Sequence, residues 1–230
     1  MDPVRLIKTF FSRRIGRNLF YLQNGANNMP LLVFILIAYL MGSISFGVLA
    51  SRIFRLPDPR TYGSGNPGAT NVLRSGKKAA AALTLLGDTG KGWLAVALAQ
   101  HFAPAWGLPD ETITAVALAV FLGHLFPVFL RFNGGKGVAT ALGVLFGFNP
   151  WMGLLAVATW LTVAVIWRIS SLSALAAAAL APVYALYFLG FEANTLAVLI
   201  MSLLLTWRHK SNIASLAAGK EARIGKRSTR

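Results

Sequence analysis

Three stretches of this sequence gather residue types able to hold an anion. The first reads Gly63-Ser64-Gly65-Asn66-Pro67-Gly68-Ala69-Thr70-Asn71-Val72-Leu73-Arg74. Its glycines expose backbone N–H groups and accept unusual dihedrals, and Ser64, Asn66 and Asn71 add side-chain hydrogen-bonding groups. Arg74 adds a planar fork that matches a phosphate. By composition alone the stretch could equally be an ordinary flexible loop. The second places Gly134, Gly135 and Gly137 around Lys136, just before an apolar run. Free N–H groups and the dipole at a helix N-terminus favour an anion there, although the spacing is not that of a Walker A loop. The third is Arg208-His209-Lys210-Ser211-Asn212-Ile213, followed by Gly219-Lys220-Glu221. From Lys220 to Arg230 a solvated basic tail is the simpler reading.

Three further residues sit where polar groups are costly. Asp88 and Lys91 lie inside an apolar run, at a spacing that puts them on one helix face. A charge near mid-bilayer costs about 2.5–3.5 kcal/mol on insertion scales, so pairing and an inward orientation are expected. Lys91 is either structural or reaches an anionic substrate. His124 stands at the end of another apolar run, and such a histidine is more often a packing or hydrogen-bonding residue than a catalyst.

The elements that must position these groups are read from hydropathy. Hydrophobic residues make up 56% and charged residues 13% of the 230, against roughly 25% charged in soluble domains. A membrane protein follows. Apolar runs cover 30–50, 79–102, 112–130, 139–148, 151–167, 172–189 and 195–207. The expected fold is therefore an all-α polytopic membrane protein with about seven transmembrane helices. The fourth and seventh runs fall short of the ~20 residues a span needs, which leaves five or six spans as alternatives. With seven crossings, loops 51–78 and 131–138, the turn at Arg168 and the tail share one face and hold 16 of the 22 Lys and Arg. The opposite turns hold Asp110, Glu111 and Glu192 and no Lys or Arg. The positive-inside rule then puts the N-terminus out and the C-terminus in. Residues 1–29 form a basic extension that breaks this pattern and is expected to be an appendage, disordered or not native. Residues 30–208 form the membrane domain and 209–230 a basic cytoplasmic tail.

The net charge of +15 would point to nucleic acid in a soluble chain. Beside apolar spans it points to topology and to anionic headgroups or substrates. Without cysteine there is no disulfide, thiol nucleophile or thiolate metal site.

Taken in order, the three stretches resemble the bacterial acyl-phosphate:glycerol-3-phosphate acyltransferase family (PlsY) over roughly residues 30–225. The marks are the Gly-Ser-Gly-Asn to Arg74 loop, the run from His124 through Gly-Gly-Lys-Gly-Val-Ala-Thr to Thr140, and His209, Asn212, Gly219 and Glu221. One departure is Ala214-Ser215, where family tails often carry arginine at the second position. The resemblance implies acyl transfer from a fatty acyl-phosphate to the 1-hydroxyl of glycerol 3-phosphate, giving lysophosphatidic acid and phosphate, the first acylation of phospholipid synthesis. It implies the bacterial cytoplasmic membrane with the active face inward, no cofactor or metal, no nucleic acid, and a monomer. Ser64, Arg74, Lys136 and His209 would be catalytic. Gly65, Asn66, Asn71, Lys91, His124, Gly134, Gly135, Gly137, Ser171 (or Ser173) and Asn212 would bind substrate. Asp88 and Glu221 would be structural. None of His101, His124 and His209 has Asp five residues on, so the His-x4-Asp dyad of other glycerolipid acyltransferases is absent. The base would be His209 or a substrate phosphate. The competing reading is a transporter of an anionic phosphorylated metabolite, since glycine-broken spans and Lys91 would suit that class.

Overall fold

The computed structural model describes residues 29–224. The extension at 1–28 and the last six tail residues lie outside the described part. Among the described residues all regular structure is helical: α1 (Met29–Ser43), α2 (Phe46–Ile53), α3 (Ala69–Leu73), α4 (Lys78–Phe102), α5 (Glu111–Leu125), α6 (Val138–Phe148), α7 (Pro150–Trp167), α8 (Ser170–Leu189), α9 (Ala193–Arg208) and α10 (Lys210–Ala217), with 3-10 turns at Pro104–Trp106 and Val128–Leu130.

The apolar runs became helices almost to the residue, with two breaks, one of them at Phe126-Pro127, where α5 gives way to a 3-10 turn. The first run bends by 44° between α1 and α2. The Ser43 hydroxyl donates back to the Tyr39 carbonyl, and Ser45 caps α2 by accepting from the Val48 N–H. At the other sharp corner, Asn149 caps α7 through the Trp151 N–H, with Pro150 at the first helical position. Three helical segments are long and apolar enough to cross a bilayer alone: Glu111–Leu130, Pro150–Trp167 and Ser170–Leu189. The bent α1–α2 pair makes a fourth if it is one span, while α6 and α9 are shorter apolar helices. Residues facing outward are themselves apolar. Leu36 is 56% exposed, Val165 77% and Val183 57%. Such a surface matches hydrocarbon, not water.

Because lipid competes for apolar side chains, helices in a membrane associate through small residues that let backbones approach. Two crossings are built this way. Gly42 of α1 and Gly123 of α5 each lie against the other helix's backbone; an added Cβ would meet the Val120 or the Tyr39 carbonyl oxygen at 2.1 and 2.2 Å. Gly92 of α4 and Gly143 of α6 do the same against the Thr140 and Thr89 carbonyls. The second crossing carries α4, with Asp88, and α6, whose N-terminus follows Lys136, so it sets the distance between two parts of the polar cluster.

Gly143→Ala is expected to lower the Tm in detergent, since its Cβ would sit 1.9 Å from the Thr89 carbonyl oxygen; overpacking of this kind costs about 1–3 kcal/mol. Gly90→Ala, in the same helix pair with nothing near its Cβ, should hold or raise the Tm, by up to ~1 kcal/mol of helix propensity. Equal effects of the two would contradict the close-packed crossing.

Candidate active site

Four connections end on one face of the bundle and converge on a cavity of about 880 Å³. They are the α2–α4 loop, the α5–α6 loop, the α7–α8 turn and the chain after α9.

In the first loop the buried Asn71 side chain acts as a hub. Its amide donates to the carbonyls of Pro59 (2.7 Å) and Tyr62 (3.1 Å), and its oxygen accepts from the Ser64 N–H at 2.9 Å. Gly63, at φ 60°, is pressed onto this oxygen, where a Cβ would stand 2.2 Å away. The result is to present Ser64, Asn66 and Arg74 to the cavity. Asn71 also lies in the wall, yet both its amide hydrogens are committed to backbone. Gly65, at φ 67° in the turn closed by its N–H on the Tyr62 carbonyl, is not in the wall.

The glycine-rich loop is held by its neighbours. The Gly135 N–H donates to the His124 carbonyl at 3.1 Å. A Cβ at Gly134 would meet that same carbonyl, and one at Gly135 would meet the His124 ring, both at 2.2 Å. From the other side the Arg208 guanidinium donates to the Gly134 carbonyl at 2.8 Å and the Gly135 carbonyl at 3.2 Å. Gly134 and Gly135 are therefore required by packing and stand outside the cavity wall, whereas Lys136 and Gly137 line it. The Lys136 ammonium donates to the Asn212 side chain. Burial pushes its pKa down, and the Glu221 carboxylate opposes that shift.

On the chain after α9, α10 sets His209 and Asn212 three residues apart, on one face. His209 is buried, with Nδ1 2.8 Å from the Leu205 carbonyl. A carbonyl only accepts, so Nδ1 carries the proton and Nε2 keeps its lone pair. Burial depresses the pKa below the usual histidine value, against the Leu205 bond, which favours the neutral ring. Of the stretch expected to be a solvated basic tail, the described residues turn back toward the bundle, with Lys220, Ala222 and Arg223 still exposed. Lys220 to Ile224 line the cavity, and the Ile224 N–H donates to the Arg168 carbonyl at 2.6 Å. The Glu221 oxygen Oε1 accepts from Ser171 and from Asn212, both at 2.7 Å. Ser173 is not in the wall; its hydroxyl donates to the Ile169 carbonyl.

Asp88, Lys91 and His124 form a buried cluster between α4 and α5. The Lys91 ammonium lies 2.9 Å from Asp88 and donates to the Ile44 carbonyl at 2.6 Å, in the break between α1 and α2. His124 Nδ1 is 3.6 Å from the same Asp88 oxygen. Asp88 and His124 reach the cavity wall and Lys91 does not. Of the two readings of Lys91, its pairing with Asp88 and its place outside the wall match the structural one. Arg208 is the residue that sequence reasoning missed. It read as one more basic residue at a membrane boundary, and nothing local reveals the carbonyls 73 and 74 residues away that it holds.

Below this polar head the wall is apolar, formed by Leu142, Leu145, Ala156, Val157, Ala178, Ala181, Val198 and Met201 among others. Cations at the mouth and hydrocarbon below it, in a membrane protein, are an arrangement able to hold an amphiphilic anion. Residues 32–219 match the glycerol-3-phosphate acyltransferase family model, and the chain belongs to that family. It is 75% identical over 201 residues to the glycerol-3-phosphate acyltransferase of Nitrosospira multiformis, covering 87% of this chain and all of the relative. It is 63% identical over 200 residues to that of Nitrosomonas europaea, covering 87% of this chain and all of that one. Among solved structures it resembles PlsY (YgiH), an integral membrane glycerol 3-phosphate acyltransferase, in its glycerol 3-phosphate form, with TM-score 0.79, 35% identity, and coverage of 85% of this chain and 96% of that one. The lysophosphatidic acid form gives TM-score 0.76 and 36% identity over the same shares. The family is one of acyltransferases, and the transporter reading falls with that.

Asn71→Ala would orphan three backbone groups, each costing about 1–3 kcal/mol if buried. The expected outcome is faster proteolytic cleavage between residues 59 and 74 and loss of turnover, while Asn71→Asp, which keeps the acceptor for Ser64, retains part of both. An Asn71→Ala protein with an intact loop and full activity would overturn the hub role.

Proposed function

We propose that this protein transfers a fatty acyl group from an acyl-phosphate to the 1-hydroxyl of glycerol 3-phosphate, releasing lysophosphatidic acid and phosphate. The observation that carries this reading is the cavity, cationic at the mouth and apolar below, in a chain of the glycerol-3-phosphate acyltransferase family. The relatives bear the name glycerol-3-phosphate acyltransferase, and the two PlsY structures are of glycerol 3-phosphate and lysophosphatidic acid forms. An acyl-phosphate donor fits a site without a thiol or a paired Ser-His nucleophile. Phosphate is a good leaving group, so positioning and charge neutralisation suffice.

In the proposed reaction the acyl chain lies among α6, α7, α8 and α9. Arg74, Lys136, Ser64 and Asn66 hold the donor phosphate and the carbonyl oxygen as it gains charge. Glycerol 3-phosphate enters from water and is oriented by His209, Asn212 and Ser171. Its 1-hydroxyl oxygen bonds to the carbonyl carbon, the carbon–oxygen bond to phosphate breaks, and phosphate leaves with the electron pair. The hydroxyl proton goes either to His209 Nε2 or to a substrate phosphate oxygen.

The same reading places the enzyme in the bacterial cytoplasmic membrane as a monomer, with seven crossings, N-terminus out and C-terminus in. The α1–α2 pair would be one crossing, and α4 to α9 the other six. Support comes from the alternate connections: those after α2, α5, α7 and α9 all line one cavity, and they hold most of the Lys and Arg. Residues 30–208 would be the membrane domain, and the chain from 209 its cytoplasmic tail.

Purified protein with glycerol 3-phosphate should release phosphate and lysophosphatidic acid from palmitoyl-phosphate and give no product from palmitoyl-CoA or an acyl-carrier protein. Lys136→Ala should lower turnover by about 10²–10³-fold, the range for losing one oxyanion donor. Product from a thioester donor would keep the acyltransferase and overturn the donor.

If His209 is the base, kcat/KM should fall on the acid side with an apparent pKa below 6.5, the direction burial imposes, because protonation fills Nε2. His209→Gln should then lower the rate and remove that limb. A limb that survives His209→Gln near pH 6 would assign the proton to the substrate phosphate, whose second pKa is about 6.

A further inference from the structure

The apolar part of the cavity has a floor. On α8 the wall descends from Ser171 through Ala174 and Ala178 to Ala181, ten residues, or about 15 Å of helix at ~1.5 Å per residue. From His209, just past α9, it runs down that helix to Val198, eleven residues, and so reaches a similar depth of about 16 Å. One turn beyond Ala156 on α7 stands Met152, and one turn beyond Ala181 stands Ala185. Both are completely buried and neither lines the cavity. The void therefore ends where Leu145, Ala156, Ala181 and Val198 meet, all members of one packed core. A depth of about 15 Å is half the ~30 Å hydrocarbon thickness of a bilayer, the length one leaflet's acyl chains fill.

We infer that Ala156 and Ala181 set the acyl-chain length the enzyme accepts, by being the small residues that hold this floor open at the depth of an ordinary membrane acyl chain. The inference rests on the proposed acyl transfer and adds a specificity determinant to it. The two alanines come from facing helices, α7 and α8, and both side chains are almost fully buried at the end of the void. A bulky side chain at either one has nowhere to go but upward into the cavity. Filling one helical turn, ~5.4 Å, of a depth of about 15 Å removes roughly a third of the space open to the acyl chain. The polar head, more than two turns away, is untouched, so glycerol 3-phosphate should bind as before.

Ala181→Phe and Ala156→Leu should each shift the ratio of kcat/KM for dodecanoyl over palmitoyl donor upward by at least about tenfold, the scale on which a pocket discriminates by hydrocarbon fit. The KM for glycerol 3-phosphate should stay within twofold or so of its original value. An unchanged ratio, or equal loss for both chain lengths, overturns the inference. Because the bulky variants could fail to fold, a second measurement uses the absence of cysteine in the sequence. Ala174→Cys and Ala181→Cys proteins are labelled with methyl methanethiosulfonate in the presence of octanoyl- or palmitoyl-lysophosphatidic acid. Both lipids should protect Cys at position 174, and only the palmitoyl form should protect it at 181. Protection of position 181 by both lipids, or by neither, overturns the floor while leaving the site. No protection at position 174 overturns the acyl site itself, and the inference with it.

Discussion

The grip on the glycine-rich loop is the constraint from which the rest of the site follows. Its two carbonyls, from Gly134 and Gly135, accept from the Arg208 fork, while its backbone closes on His124 with no room for a Cβ. Arg208 is the last residue of α9 and His124 lies in the last turn of α5. Two helices far apart in sequence thus fix one short loop from opposite sides. Lys136, the next residue, inherits its place from them. A lysine on a free loop would spread its ammonium over many positions; here the stem is fixed and the head is held by Asn212. Electrostatic catalysis depends on charges that need not reorganise, and this loop meets that condition through packing.

His124 couples this grip to the buried pair below. Its ring faces Asp88, which pairs with Lys91, whose ammonium ends on the Ile44 carbonyl. That carbonyl is available because α1 and α2 are bent apart there. A straight helix would spend it on its own ladder. The bend, the intramembrane charges and the glycine loop are therefore one connected arrangement. Desolvation is severe for a single charge in this region, and the pair, the histidine and the freed carbonyl together offset it. Removing one member leaves the others uncompensated.

Hydropathy made the helices legible because their burial, in lipid or in protein, is continuous. The run 79–102 became Lys78–Phe102, and 139–148 became Val138–Phe148. The polar cluster was legible as a set: Ser64, Asn66, Arg74, Lys136, His124, His209, Ser171, Asn212 and Glu221 all meet at one cavity. Their division of labour was not. Asn71 has the composition of a ligand-binding residue, yet its amide is used up by Pro59 and Tyr62. Gly134 and Gly135 look like a phosphate cradle, and the space around them is filled by His124. The return of the tail onto Arg168 was invisible for the same reason. Each of these facts depends on what lies opposite a residue in space, and no local pattern encodes that.

The returning tail answers a problem that any cluster of cations in a partly buried space meets. Arg74, Lys136, Lys220 and Arg223 all line this cavity, against the two carboxylates Asp88 and Glu221. Burial pushes the pKa of Lys136 down, and the neighbouring cations Arg208 and Arg74 add to that push. Glu221 supplies the opposing charge, and it does so from hydrogen bonds with Ser171 and Asn212. Through Asn212 it also reaches the group that holds Lys136. One carboxylate thereby links α8, α10 and the glycine-rich loop and favours a charged lysine before substrate arrives. In the proposed reaction an incoming phosphate meets cations already in place, and the carboxylate that kept them there stays outside the bond-making step.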